Sequence, residues 1–298
     1  EAHRLNMQGG YFGNLGENQI KEIINASKFS VFFIDDNQRV TTSDVGKKEY
    51  IKEIASELGV SIYEAELPSQ FRCNGSDGYL AWIDEVLQIK DTANDTLEGI
   101  NYDFRVIDSP QELHNLIIEQ NKVNNKSRVV AGYCWNWISK NGSNNKDIII
   151  DNYSAYWNLY QHGQTWIIQP SSVSEVGCIH TCQGLELDYV GVIIGPDLII
   201  RNGKIVTDGT KRASTDRSLR GITQDLRDKK PNALSIADMI IKNTYRTLMT
   251  RGMKGCYIYC TDKETQEYFK NKLLLINNKN RNGVYSNISD GTSLNSDN

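Results

Sequence analysis

Residues 180–198 read His-Thr-Cys-Gln-Gly-Leu-Glu-Leu-Asp-Tyr-Val-Gly-Val-Ile-Ile-Gly-Pro-Asp-Leu, and this stretch decides the fold. Its apolar part, Tyr189 to Ile194, is a continuous run of the kind that forms a strand buried on both faces of a parallel sheet. A Gln183-Gly184 pair stands shortly before that run. The stretch therefore predicts a buried strand that is entered through a tight turn with an exposed amide.

Other strands and helices alternate with this one along the chain. Apolar runs predict strands at residues 30–34, 102–107, 128–133 and 256–260. Apolar residues at helical spacing predict helices at residues 43–58, 78–88, 109–121, 237–251 and 263–274. This alternation predicts an α/β fold with a doubly wound parallel sheet. An Asn202-Gly203 turn within residues 198–206 predicts a β-hairpin that projects from the sheet.

The bulk composition excludes several classes of protein. A formal net charge of −4 is too small to draw the whole molecule onto nucleic acid, although it leaves room for a local basic patch. The sequence has no apolar run of about 18 residues and no secretion leader, so we expect no membrane segment. The six cysteines include no C-x-x-C pair, so we predict buried reduced thiols, no metal site and a cytoplasmic location.

Two features could contact nucleic acid. Residues 201–230 carry nine basic side chains against four acidic ones, so their local net charge is +5 in an acidic chain. Such a patch holds phosphates with little sequence preference, and a solvated loop is the alternative. Trp135 and Trp137 alternate at the end of a predicted strand, where they either pack in the core or stack on bases.

Five short segments together resemble motifs II to VI of superfamily 1 helicases. In chain order they are Glu1-Ala-His-Arg-Leu5, Ile34-Asp-Asp-Asn-Gln38, Gln70-Phe-Arg72, residues 180–188 and residues 243–252. The first resembles the end of a D-E-A-H box without its leading Asp. The phrases at residues 131–137, 180–198 and 243–255 more closely resemble the bacterial schlafen-like DNA/RNA helicase family, over roughly residues 1–275.

This resemblance implies a RecA-like fold of the P-loop NTPase class, with the second lobe complete and the first lobe partial. Residues 1–62 would be the remnant of the first lobe. Residues 63–276 would form the second lobe with a basic insertion at 198–231, and residues 277–298 a disordered tail. ATP and Mg²⁺ would bind between the lobes, and hydrolysis would drive movement along single-stranded DNA or RNA.

The resemblance also implies roles for individual residues. The catalytic group comprises a carboxylate that polarises the attacking water, a γ-phosphate sensor and two arginine fingers, namely Glu1, Gln38, Arg72 and Arg251. The nucleotide-coupled group comprises Gln183, Gly184, Glu186 and Arg246. The nucleic-acid-binding group comprises His180, Thr181, Lys211, Arg212, Arg217 and Arg220. The competing interpretations are plain turns for the glutamine segments and structural ion pairs for the arginines.

One expected part of such an enzyme is missing from the sequence. No G-x-x-x-x-G-K-[ST] phosphate loop occurs, and the Asp of the D-E-A-H box is absent. We therefore interpret the chain as a fragment of an ATP-dependent helicase or translocase, whose partner would be the missing N-terminal half of the first lobe. The alternatives are an ATP-switched binding protein that does not unwind nucleic acid, and a non-catalytic RecA-like interaction module.

We predict that the isolated fragment does not hydrolyse ATP, because it lacks a phosphate cradle. The measurement is phosphate release by purified residues 1–298 with ATP and Mg²⁺, beside the Glu1→Gln variant as control. Turnover above background that disappears in Glu1→Gln would contradict the prediction.

Overall fold

The apolar run that begins at Tyr189 forms the middle of a mostly parallel sheet. The structure is a computed structural model that describes residues 2–7, 18–66, 73, 76–94, 96–158, 162 and 165–286. The strands are β1 Asp103–Val106, β2 Ser127–Ala131, β3 Ile148–Ile150, β4 Tyr153–Trp157, β5 Glu175–Gly177, β6 Leu187–Ile194, β7 Leu198–Arg201, β8 Lys204–Thr207 and β9 Gly252–Cys260. The helices are α1 Gln19–Ala26, α2 Lys48–Glu57, α3 Asp77–Val86, α4 Pro110–Asn124, α5 Ile179–Cys182, α6 Thr223–Arg227, α7 Pro231–Met249 and α8 Lys263–Ser286.

Within the described residues the main sheet has seven strands in the order β1-β9-β6-β2-β5-β4-β3. In this sheet order, the neighbouring strands from β1 through β9, β6, β2 and β5 to β4 are all parallel. Strand β3, at one edge of the sheet, pairs with β4 in the antiparallel direction. Strand β6 lies between β2 and β9, and most of its residues are buried, as its continuous apolar run predicts.

Helices cover both faces of this sheet. On one face, Val190, Val192 and Ile258 pack in a core that helices α3, α7 and α8 help to build. On the other face, Val129 and Ile193 pack against Leu113 and Ile117 of α4 and neighbouring side chains. This arrangement is a doubly wound, RecA-like α/β fold, and the predicted fold class is confirmed.

Most elements predicted from apolar periodicity are present, with ends shifted by a few residues. Ser109 caps α4 through its hydroxyl, which accepts from the Glu112 N–H at 3.4 Å. In the β7–β8 hairpin, Asn202 and Gly203 have φ angles of 52° and 74°, as a type I′ turn requires. The hairpin does not stand clear of the body, because the Gln88 side chain bonds to the Gly203 carbonyl and the Ile205 N–H.

The structure differs from the sequence predictions in three parts of the chain. Residues 30–34 are extended but do not enter the described sheet, and the Val31 and Phe33 side chains are 63% and 64% exposed. An apolar run forms a buried strand only when a neighbouring strand pairs with it, and none of the described strands does so. Strands β3, β4 and β5 are short and were not predicted. Helix α8 continues to Ser286, past the predicted start of the tail at residue 277.

A tyrosine hydroxyl fastens α7 to the strand ends. Tyr245 donates to the Asp197 carboxylate, and its oxygen accepts from the Gly195 N–H at 2.8 Å. Gly132 follows β2 and lies so close that a Cβ there would stand 2.0 Å from this oxygen. Glycine is required at Gly132 because only a hydrogen atom fits against the ring. Among the described helices, none is long and apolar enough to cross a membrane.

We predict that Gly132→Ala lowers the free energy of unfolding by about 1–3 kcal/mol, because the added methyl group overpacks the site against Tyr245. Urea denaturation measures this loss. The control is the double variant Gly132→Ala/Tyr245→Phe, in which part of the clash is gone, so its loss should be smaller than the sum of the single losses. Additive losses would show that the two side chains do not compete for space.

Candidate functional site

Three of the helicase-like segments meet at one buried junction. The Gln183 side chain, at the end of α5, donates to the Gln38 carbonyl at 3.0 Å. The same amide nitrogen lies 3.5 Å from the His3 ring nitrogen Nε2. All three residues are buried. Segments that are far apart in the sequence, and that were predicted to act on one nucleotide, are therefore in direct contact.

Gln38 presents an oxygen rather than a nitrogen to its surroundings. Its amide nitrogen donates to the Asp35 carboxylate at 2.8 Å, which fixes the orientation of the amide because a carboxylate accepts and does not donate. The Gln38 side-chain oxygen is buried and accepts no hydrogen bond from any residue that the structure describes. It is therefore an acceptor that still needs a donor.

Arg251 lies beside the same junction. Its guanidinium is 2% exposed and donates to the Thr247 carbonyl at 3.0 Å and to the Leu185 carbonyl at 3.3 Å. The Leu187 N–H in turn donates to the Arg251 carbonyl at 2.9 Å. Arg251 thus ties the end of α7 to the loop that carries Gln183.

The chain just after Gln38 is held by α7. Asp44 folds this segment by accepting from the Val40 and Thr41 N–H groups, each at 3.1 Å. The Asn243 side chain donates to the Arg39 carbonyl at 3.0 Å. Asn243 was not singled out from the sequence, although it begins the helicase-like phrase on α7. Its amide connects that phrase to the Gln38 segment.

The other predicted nucleotide-coupled residues are more dispersed. Arg246 forms an ion pair with Asp84 of α3, with one hydrogen bond of 3.2 Å, so its position is that of the structural alternative. Gly184 takes a left-handed φ of 84°, as a tight turn requires, and Glu186 is exposed. Glu1 and Arg72 lie outside the described residues.

The basic insertion divides into exposed cations and one buried arginine. Lys211, Arg217 and Arg220 are exposed, as phosphate contacts must be. Arg212 is not, because its side chain is only 3% exposed and its Nε lies 3.0 Å from Asp216 and 3.5 Å from Asp197. Its assignment as a surface phosphate contact is therefore wrong in this structure: two buried carboxylates need its charge.

Asp216 connects that ion pair to a predicted nucleic-acid-binding residue. Burial by itself raises the pKa of Asp216, but the Arg212 charge and hydrogen bonds from His180 and Ser218 outweigh it and hold the pKa at about 2.

Thr42 also contacts this segment. Its N–H donates to the Ser218 carbonyl at 2.8 Å, and its hydroxyl donates to the Arg220 carbonyl at 2.6 Å. The insertion is thus anchored next to the Gln38 segment.

His180 and Thr181 line an open cleft of about 440 Å³ beside the insertion. Tyr133 and Asn158, just beyond the carboxyl ends of β2 and β4, also line it, and so does Cys178 after β5. These strands are neighbours in the sheet. Ligands of open α/β sheets bind at the carboxyl ends of the strands, which is where the two predicted residues lie.

The sequence profile of the family described as Schlafen group 3, DNA/RNA helicase domain, matches residues 1–262. The chain belongs to this family. It is 26% identical over 293 residues to the uncharacterized protein YPL245W of Saccharomyces cerevisiae, a match that covers 90% of this chain and 62% of the yeast protein. The chain therefore spans less than two thirds of that relative's length. No solved structure gives a significant match.

The family confirms the helicase resemblance inferred from the sequence, while the bacterial grouping stays a prediction. The family assignment also agrees with the contact between helicase-like segments at the junction of this schlafen group 3 domain. His3, Gln38 and Gln183 belong to three different helicase-like segments, and the fold brings them together.

We predict that Asp216 makes the stability of this domain sensitive to acid. Its pKa falls from 3.8 to about 2 on folding, so its contribution is complete above about pH 4 and is lost as the pH falls toward 2. The lost contribution is about 2 kcal/mol, at about 1.4 kcal/mol per unit of pKa. Chemical denaturation between pH 2 and pH 7 measures it.

The Asp216→Asn variant should lose this part of the acid dependence. It should also be less stable at neutral pH by about 3–5 kcal/mol, because Arg212 then lacks one buried partner. The control is Asp228→Asn, an exposed carboxylate of the same insertion. Parallel stability curves for wild type and Asp216→Asn from pH 4 down to pH 2 would contradict the prediction.

Proposed function

We propose that this chain is part of an ATP-dependent helicase or translocase that acts on single-stranded DNA or RNA. The observation that carries the proposal is the junction of His3, Gln38 and Gln183, with Arg251 beside it. A motor of this class needs a water-positioning group and an arginine next to the bound nucleotide. The helicase family of the chain supports the same assignment.

The side chains present at the junction fit a hydrolytic site. The buried Gln38 oxygen can accept a hydrogen bond from a water but none from an ionised phosphate, which has no proton to donate, so the role proposed for Gln38 changes from γ-phosphate sensor to water-positioning group. Arg251 carries the planar guanidinium that suits phosphate oxygens. ATP would supply the phosphoryl group and Mg²⁺ would neutralise its charge. The phosphate cradle would come from another part of the whole protein, because this sequence has no phosphate loop.

A physical link joins the proposed nucleotide site to the proposed nucleic-acid surface. Thr42 lies four residues after Gln38 and bonds to the main chain of the insertion at Ser218 and Arg220. Lys211, Arg217 and Arg220 are exposed there and can bind backbone phosphates regardless of sequence. Movement of the Gln38 segment during hydrolysis would therefore move the basic surface.

The exposed apolar side chains at residues 28–34 indicate that another part of the protein packs against them. Phe29, Val31 and Phe33 are 79%, 63% and 64% exposed on extended chain, a pattern that suits pairing with another strand. We propose that the rest of the first lobe covers these side chains.

Five of the six cysteines are buried thiols, and a reducing compartment such as the cytoplasm fits them.

We predict that the full-length protein hydrolyses ATP faster when single-stranded DNA or RNA is present. Arg251→Lys keeps the charge but loses the planar fork, so it should lower the rate by on the order of 10³-fold while nucleotide affinity changes less. Steady-state phosphate release and nucleotide binding measure the two quantities. Thermal unfolding of the variant verifies that the buried site still folds.

The matched control is Arg105→Lys, whose exposed ion pair with Asp103 lies on β1. An unchanged rate in folded Arg251→Lys would remove Arg251 from the site. Nucleic-acid binding that depends on ATP but occurs without strand displacement would favour the switched binding protein instead. A full-length protein with neither ATP hydrolysis nor nucleic-acid affinity would favour the interaction module.

A further inference from the structure

Three aromatic side chains besides His180 line the cleft. Tyr133, Trp137 and Trp166 all line it. Trp166 is 1% exposed and fixed in place, because it lies so close over Gly177 that a Cβ there would be 2.6 Å from its ring. Trp137 is half-buried and the Lys140 Nζ lies 5.1 Å from its ring centroid, so a ligand can use only the part of the ring that Lys140 leaves open. Aromatic faces of this kind stack on nucleobases with little preference for sequence.

The lining of the cleft is neutral. None of its described lining residues is a lysine, arginine, aspartate or glutamate. Burial raises the pKa of Tyr133 to about 12 and also raises the pKa of the Cys178 thiol, so both groups keep their protons at neutral pH. Among the described residues that line the cleft, a phosphate or carboxylate would find no lysine or arginine to offset its lost hydration, and the nearby Lys140 ammonium lies over the Trp137 ring. The cleft therefore suits an uncharged planar ring.

One side chain in the cleft presents a fixed hydrogen-bond donor. Asn158 is 8% exposed, and its N–H donates to the Val176 carbonyl at 2.9 Å, which fixes its backbone to β5. Its side-chain oxygen accepts from the Thr181 hydroxyl at 2.7 Å. Its amide nitrogen donates to none of the residues that the structure describes. An amide nitrogen carries two protons, and a ring bound in the cleft can accept from it.

The exposed cations of the insertion are close in sequence to residues that contact the lining of this cleft. The Trp137 N–H donates to the Thr215 hydroxyl at 3.2 Å, and the His180 ring is 3.4 Å from the Ser218 hydroxyl. Arg217 and Arg220 adjoin Ser218 and are exposed. A strand with one base in the cleft would thus have cations near its phosphates.

We propose that this cleft is a base-binding subsite that takes one unpaired nucleobase of a single strand. The base stacks on Trp137, and a carbonyl oxygen or ring nitrogen of the base accepts from the Asn158 amide. The flanking phosphates lie along Lys211, Arg217 and Arg220. This inference rests on the proposed function, because it names the part of the nucleic acid that the domain grips. The volume of the cleft, about 440 Å³, is within the usual range for small-ligand clefts.

The test compares two strands of equal length and phosphate charge, a labelled oligouridylate and an abasic strand, by fluorescence anisotropy with the full-length protein. The wild type should bind the base-containing strand about tenfold more tightly, as expected for one stacked base. Trp137→Ala and Asn158→Ala should each reduce this preference, while Trp137→Phe should retain most of it. The matched control is Tyr63→Ala, which removes an aromatic ring that is 90% exposed elsewhere.

Salt dependence separates the two halves of the site. Replacing Lys211, Arg217 and Arg220 with alanine should flatten the slope of log K against log salt by about 2, at about 0.7 for each lost contact to a single strand. The preference for bases should survive that change. In contrast, Trp137→Ala should leave the salt slope unchanged.

Equal affinity of the wild type for both strands would overturn the subsite and leave the proposed function standing. A preference that survives in both Trp137→Ala and Asn158→Ala would also overturn it, because the base would then be read elsewhere. A protein that binds neither strand, with or without ATP, would overturn the proposed function together with the subsite.

Discussion

The hydroxyl of Tyr245 is the contact on which the rest of the site depends. It joins α7 to Gly195 and Asp197 beyond the carboxyl end of β6, and it fills the space that Gly132 leaves beyond β2. With α7 held there, Asn243 reaches the Gln38 segment and Arg251 reaches the loop before β6. One fixed helix therefore sets the positions of three segments that are distant in sequence.

The same contact explains the buried charges of the insertion. Asp197 accepts from the Tyr245 hydroxyl, and the Arg212 guanidinium lies between Asp197 and Asp216. Buried ion pairs add little net stability, because desolvation offsets their attraction. Their effect here is positional: Arg212 and Asp216 hold the insertion in one place against the strand ends, beside His180.

The sequence predicts those parts of the fold that depend on local pattern. The run at residues 189–194 and the Asn202-Gly203 turn carry their own signals, and both are confirmed. Residues 30–34 carry the same apolar signal, but no strand among the described residues pairs with them, so their side chains are exposed and not buried as predicted. The order of the helicase-like segments led to the expectation that Gln38 and Gln183 serve one site, and the structure places them in contact. The burial of Arg212 could not be predicted, because it depends on a carboxylate fifteen residues earlier that only the fold brings near.

Thr42 binds the insertion through main-chain carbonyls alone, those of Ser218 and Arg220. Any amino acid at those two positions would offer the same carbonyl oxygens. The exposed side chains of the insertion, such as those of Arg217 and Arg220, are therefore free to change in charge and size without loosening its attachment to the Gln38 segment. Related proteins can diverge in the exposed charges of this surface while they keep the connection to the proposed nucleotide site, because the surface and the connection are made of different atoms.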